Sequence, residues 1–459
     1  MIQYLSFKDI LVPPFLFIIF YIVAISIKRN NIEGASYYKY FIPGLFAKVI
    51  GSVALCLVYG FYYSGGDPNC YFHDNVCLSK LFLINPIASI RYTFSEVDQQ
   101  LYSLFDRDTD WPIFAFDIHA VYVTKITWVL SLISLNSFIG QSMLLAFFAF
   151  FPVWRMYRMF LIEFPSLEKG LAFAILFIPS EVFWGSGLLK DTLTFSAVAL
   201  FTSSFYYIIK LKQNYLRNIF LLIVSSWVLI NIKPYILFAI LPGTIIWLTS
   251  YRLEKIDNKL VRFLITPTFI AIAVLMGFIF LKFTANTFRE YSVDKVLEKA
   301  LVTQQDLKQD YYHGSSFDIG DFEPTIPGVL SKAPIAIVAA LFRPFLWESY
   351  NPAMIVSGIE NLIILIFTIY LIVRLGIYNF IKLPFKNHLL FFSVSFSLFF
   401  AFAVGLSTSN FGSLVRYKIP AIPFFISSLV IFNYYYQQER KLKIKKEQAA
   451  LNGIQESLT

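Results

Sequence analysis

Apolar runs, many of about 18 to 23 residues, recur along nearly the whole chain and match the length a helix needs to cross a bilayer. They lie near 10–27, 41–63, 136–153, 171–188, 192–210, 218–232, 235–250, 262–282, 350–373, 387–408 and 418–436. A segment in lipid must satisfy its own backbone hydrogen bonds, so this pattern predicts an all-α fold: a polytopic transmembrane helical bundle of about eleven spans. The runs at 218–232 and 235–250 are short and read as a tilted or partly re-entrant pair. Two longer, more polar stretches, about 64–135 and 283–349, read as large extracytoplasmic loops. Residues 1–436 then form a single integral membrane domain, and 437–459 a basic cytoplasmic tail.

Charge orients the bundle. Lys28, Arg29, Lys39, Arg155, Arg158, Lys210, Lys212, Arg217, Arg374, Lys382 and the Arg440–Lys446 stretch fall on one side when the N-terminus is placed outside and the C-terminus inside. That is the positive-inside bias, as expected of a multi-pass membrane protein. Composition agrees: of 459 residues 57% are hydrophobic and only 15% charged, against about 25% charged in soluble domains. The net charge of +9 follows from the cytoplasmic lysines and does not point to nucleic acid. The first run has neither a basic flank before it nor a small-residue cleavage site after it, so it reads as a retained span.

One segment breaks the rhythm. Residues 117–135 are apolar enough to span, but Lys125 sits at their centre, and a span here would turn Arg155 and Arg158 outward. The segment therefore reads as an amphipathic helix lying on the outer surface. Cys70 and Cys77 share the first outer loop, where an oxidising compartment could join them, whereas Cys56 lies within a span.

Four clusters could carry chemistry. At the mouth of the second span, Gly65-Gly66-Asp67-Pro68 sets a carboxylate in a tight turn at the water–lipid boundary, followed by Tyr71, His73 and Asp74. Asp67 could act as a base toward an acceptor hydroxyl, and its neighbours could tune it or bind sugar hydroxyls; as plain structure it is an Asx-turn residue. In Trp184–Thr192, Asp191 can cap the helix that follows, while Lys190 with that helix's N-terminus offers an anion site; otherwise Lys190 snorkels. In Leu341–Glu348, Arg343 could grip a phosphate and Trp347 stack on a sugar, or Arg343 could simply pair with Glu348 in an aromatic belt. Glu360 lies inside the next span, where an ionisable group calls for a partner or a polar cavity. In Asn410–Lys418, Arg416 and Lys418 enter the last span from outside. The predicted topology puts all these cations on the side of Asp67, the arrangement that transfer from an anionic lipid carrier requires.

Asp106, Asp108 and Asp110 alternate in a way that could hold a divalent cation, but the glycine and distal glutamate of an EF-hand loop are missing. No cofactor is otherwise indicated, and His119, His313 and His388 lack ligand spacing.

Together the Gly65-Gly66-Asp67 turn, the stretch ending Lys190-Asp191, Arg343–Glu348 and Gly412–Lys418 resemble bacterial GT-C type membrane glycosyltransferases of surface-polysaccharide biosynthesis, over about residues 40–435. The resemblance implies a polyprenyl-phosphate-linked sugar as donor, an extracytoplasmic glycan, lipid or protein as acceptor, and an acid of the first outer loop, here Asp67, as base. It departs from the branches with an Asp-Glu pair in this loop, because Asp67 is followed by Pro68. Two alternatives share the pattern: a polysaccharide polymerase, and a non-enzymatic flippase or export subunit whose charges, Lys48 and Glu360 among them, would line a central cavity.

Overall fold

The computed structural model describes residues 5–63, 65–253, 302, 317, 319–320, 326–349 and 352–458. Among these the chain is helical and contains no strand. Seven helices are long and apolar enough to cross a membrane: Lys8–Ile32, Ser36–Tyr62, Phe138–Glu163, Lys190–Leu211, Tyr215–Ile232, Met354–Leu375 and His388–Ser407. Phe411–Tyr417 and Ile422–Ala449, bent by 69°, form an eighth if counted together. These are the helices expected of a multi-pass membrane protein.

The remaining predicted runs fare differently. Residues 171–188 do not form one span: a helix at Glu168–Leu176 stops, and a short one resumes at Pro179–Trp184. The cause is Pro179, which disfavours helical geometry in the residue before it; Ile178 is extended at φ −66°, ψ 123°. The run at 235–250 falls in Pro234–Leu253, and 262–282 lies outside the described residues, as does most of 283–349.

The chain divides into two compact units, residues 1–159, 175–240 and 412–420 in one, and 160–174, 241–411 and 421–459 in the other. The first unit begins with α1 (Lys8–Ile32) and α2 (Phe41–Leu57), the latter prolonged by a π turn at Val58–Tyr62. The predicted 64–135 loop is itself mostly helical: α3 (Asp67–Ile84), α4 (Pro86–Phe94), α5 (Gln99–Tyr102) and α6 (Ala120–Ile133). Local chemistry starts each one. Pro68 occupies the first turn of α3, Asn85 accepts from the Ala88 amide ahead of α4, and Asp98 accepts from the Leu101 amide ahead of α5.

α3 and α6 are joined by a buried polar network rather than by apolar packing alone. Asn75 donates to Thr127 at 3.0 Å and to Gln141 at 2.9 Å, and Gln141 donates to Ser131 at 2.7 Å. Lys125, which breaks the apolar pattern of the 117–135 segment, is buried and donates to the Ser95 carbonyl at 2.7 Å.

Four longer helices complete the first unit: α7 (Phe138–Glu163), which continues into the second unit, α10 (Lys190–Tyr206), α11 (Tyr215–Ile232) and the start of α12 (Pro234–Leu253); α9 (Pro179–Trp184) also belongs to it, whereas α8 (Glu168–Leu176) falls mostly in the second. Asp9 of α1 holds the start of α7, accepting from Ser137 Oγ at 2.7 Å and the Ile139 amide at 2.9 Å, where the helix dipole favours a negative charge. Gly51 lets α2 meet α9: a Cβ there would lie 2.0 Å from the Val182 carbonyl oxygen.

In the second unit, Asn387 caps His388–Ser407 through the Leu389 and Leu390 amides. Phe392, Phe396 and Phe424 pack edge to face at 5.2–5.9 Å. The chain ends in one uninterrupted helix of 37 residues, Ile422–Leu458, whose basic stretch Arg440–Lys446 is exposed.

Candidate functional site

Asp67 is the first residue of α3, reached through Gly65 at φ +146° and Gly66 at φ +137°. Both positions lie where side chains are strained, and at Gly66 a Cβ would also lie 2.6 Å from the Tyr59 ring. The turn is closed by the Gly65 amide, which donates to the Tyr59 carbonyl at 3.1 Å. The sequence expectation of a tight turn presenting a carboxylate is met.

Arg416 reaches that carboxylate. Its Nη2 donates to Asp67 Oδ2 at 3.0 Å and also to Asp191 Oδ2 at 3.2 Å, with Nε 3.4 Å from the same Asp191 oxygen. On its other oxygen Asp191 takes a 2.5 Å bond from Lys233 Nζ. Four charges thus alternate in a chain: Asp67, Arg416, Asp191, Lys233. The side chain of Asp191 is fully buried and that of Lys233 nearly so, whereas that of Asp67 is 47% exposed. One end of the chain is fixed and the other faces outward. Arg416 lies over the Trp184 ring at 5.6 Å, and Lys233 over Tyr417 at 4.7 Å.

A second pair flanks the first. Lys190 Nζ is 3.8 Å from Asp117 Oδ1, and the Asp117 side chain is again 47% exposed. Burial alone would raise the Asp117 pKa, but the Ala120 amide, the Lys190 charge and the His119 amide overcome it and hold the carboxyl below its usual range.

Several expected site residues have structural work instead. Asp191 does not cap α10, which starts at Lys190 without a side-chain cap; its carboxylate is turned to Lys233 and Arg416. Tyr71 is buried against Phe114, at 5.0 Å between rings, in a cluster with Leu188 and Ile232. Asp74 is buried and accepts from the Ile113 and Phe114 amides at 2.6 and 2.9 Å, tying the 106–114 loop to α3. His73 lies between Asp74, at 3.4 Å, and Asp110, at 3.1 Å. Asp74 first, and then Cys77, push its pKa up to about 11, so the ring is charged at neutral pH and serves as a clasp, not a base.

The alternating acids do not gather. Asp106 accepts from the Asp108 and Thr109 amides at 2.9 and 3.0 Å, and Asp110 turns to His73. Among the described residues no group of three or more His, Cys, Asp and Glu side chains could hold a metal ion.

The disulfide is also corrected. Cys70 and Cys77 are free thiols on the single helix α3, seven residues and hence about 10.5 Å apart along its axis, beyond what a bridge can span. Without reductant, denatured protein treated with iodoacetamide is expected to take up one label on each of its 3 cysteines in an intact-mass measurement. A mass short by two labels would restore the bridge.

In the second unit Arg343 does what its bland reading required. Its fork pairs with Glu348, with Nε 3.1 Å from Oε2 and Nη2 bonded to Oε1, and its guanidinium lies 4.8 and 5.3 Å from the rings of Phe317 and Phe411, which stack on each other at 5.1 Å. Glu348 also accepts from the Phe345 amide at 2.9 Å, which folds the motif into a corner. Trp347 stacks on Phe345 at 4.8 Å and is exposed. Glu360 and Lys418 are buried.

Lys233 and Asp117 were not among the sequence-derived candidates. Lys233 had a signal: it is a cation in the break between the runs 218–232 and 235–250, which the predicted topology puts on the side of Asp67. Lys48 and Glu181, both inside predicted spans, pair at 3.2 Å, and Lys48 also donates to the Gly185 carbonyl at 2.6 Å.

No family model matches the chain, and neither a curated protein nor a solved structure matches it.

Proposed function

We propose that this chain is a GT-C type glycosyltransferase of the bacterial inner membrane, moving a sugar from a polyprenyl-phosphate donor to an extracytoplasmic glycan, lipid or protein. In this reading it has about eleven spans, the run at 171–188 crossing as two short helices around Pro179, with an outer N-terminus and an inner C-terminus as the positive-inside bias suggests. One observation carries the enzymatic reading: Arg416 joins an outward-facing carboxylate, Asp67, to a buried one, Asp191, with Lys190 next to Asp191 in the chain. A base and phosphate-binding cations therefore occur together in one unit of the fold.

The chemistry follows. The acceptor hydroxyl attacks the anomeric carbon of the donor sugar, and its proton passes to Asp67. The bond from that carbon to the phosphate oxygen breaks, and its electron pair leaves with the lipid phosphate. Arg416 and Lys190 stabilise that charge, an effect that grows in a water-poor site. The transport alternative asks for charges lining a cavity; Lys48 is instead neutralised by Glu181 in a buried contact.

Membranes containing the chain are expected to consume a radiolabelled polyprenyl-phosphate sugar that membranes lacking it leave untouched. Cells lacking it should accumulate one lipid-linked glycan intermediate. Identical lipid-linked glycans with and without the chain would sink the proposal. Topology is checked separately with Arg107→Cys and Lys445→Cys in a background free of other cysteines. A membrane-impermeant maleimide added outside should label the first and not the second; the reverse pattern would put Asp67 on the wrong side.

A further inference from the structure

We infer that Arg416 is a switchable clasp: in the empty protein it masks Asp67, and a phosphate anion entering the site takes the place of that carboxylate, so the base is released only when the donor is bound. This rests on the transferase reading for the identity of the anion as the donor's phosphate, but the clasp itself rests on geometry.

The two carboxylates on Arg416 are unequal. Asp191 is fully buried, held from its far side by Lys233 at 2.5 Å, and approached by both Nε and Nη2 of Arg416. Asp67 receives a single bond, from Nη2 at 3.0 Å, and its side chain is half-exposed. It also follows two glycines at φ +146° and +137°, angles that L side chains rarely adopt. An incoming anion therefore competes with Asp67 and not with Asp191.

Lys190 and Asp117 repeat the arrangement, a partly exposed cation covered by a half-exposed carboxylate 3.8 Å away. The unliganded site carries its own stand-ins for the phosphate oxygens. Three carboxylates, Asp67, Asp117 and Asp191, balance three cations, Lys190, Lys233 and Arg416, so an anion can enter only by displacing a carboxylate or bringing a counter-charge. Displacement has a chemical advantage. While Arg416 engages its Oδ2, that oxygen of Asp67 is not free for an acceptor hydroxyl, which keeps the site from turning over without a donor.

The clasp makes a prediction opposite to that of a simple binding residue. Removing the competing carboxylate should tighten phosphate binding. The full chain, purified in detergent, is titrated with citronellyl phosphate, with inorganic phosphate, and with citronellol as the uncharged control. Asp67→Asn should bind both phosphates on the order of twofold to fivefold more tightly than the wild-type chain, the range of one partly exposed ion pair. Arg416→Gln should bind them at least tenfold more weakly, and citronellol affinity should not change in either. Asp67→Ser gives the same test should the asparagine variant lose its thermal transition. Unchanged or weaker phosphate binding in the Asp67 variant that folds would overturn the clasp. Tighter binding alongside wild-type membranes that transfer no sugar would leave the clasp standing and remove the transferase. Sugar transfer by the wild type with unaltered phosphate affinity in the Asp67 variants would do the converse.

Discussion

Asp67→Asn is expected to reduce sugar transfer in isolated membranes on the order of 10²- to 10⁴-fold, the usual contribution of a positioned general base. The substitution keeps the size and shape of the side chain and removes its charge, and with it the ability to take a proton. Asp67 is half-exposed at the start of α3 and bonded once to Arg416, so the protein should insert and accumulate as before. Loss of the charge leaves Arg416 still neutralised by Asp191. The measurement is the initial rate of transfer per amount of immunodetected protein. A rate within a factor of two of wild type would remove Asp67 from the reaction, whatever other residue performs it.

The second large effect is on stability. Asp191→Ala should destabilise the protein by about 3–5 kcal/mol, because it strands a buried lysine and takes away one of the partners of Arg416. Lys233 is 2.5 Å from the lost carboxylate and has little access to water. Detergent-solubilised protein should show a markedly lower unfolding midpoint, or fail to elute as a single species. The origin of the loss can be separated from packing with the pair Asp191→Leu and Lys233→Met. Replacing both members of a buried ion pair with apolar groups is much milder than removing one. The double variant should therefore be more stable than Asp191→Ala, with Arg416 retaining Asp67. A double variant as unstable as the single one would mean that the cost lies in shape and not in charge.

These two residues also show what was legible in the sequence. Long apolar runs announce their helices because lipid leaves the backbone no other choice. The runs at 10–27, 41–63 and 136–153 became helices with only their ends displaced. The failure at 171–188 came from weighing apolarity over Pro179, whose effect on Ile178 is local and readable. Asp67 stood out because Gly65 and Gly66 need backbone angles that few other residues tolerate. Its partner was harder to see. Arg416 is 349 positions away, and only the side of the membrane assigned to it suggested that the two could meet.

Where a residue had two readings, burial decided, and burial is not written in any short window. Tyr71 and Asp74 sit one and two turns beyond Asp67 with the look of a site, yet they face the interior of the unit and hold the α6 face and the loop at 106–114. Arg343 carries the residue type that binds phosphate, but its stacking partners Phe317 and Phe411 come from distant segments. Lys190 was visible by itself but Asp117 was not; their pairing depends on how the loop before α6 folds back on the start of α10.

The last helix has a mechanical consequence. At 37 residues, Ile422–Leu458 is about 55 Å long, while the hydrocarbon layer is about 30 Å thick. The surplus is a stiff strut and not a tether, so the basic residues from Arg440 to Lys446 turn and tilt with the apolar part of the same helix. A change in tilt of the apolar section therefore moves those basic residues through an arc that grows with their distance from it.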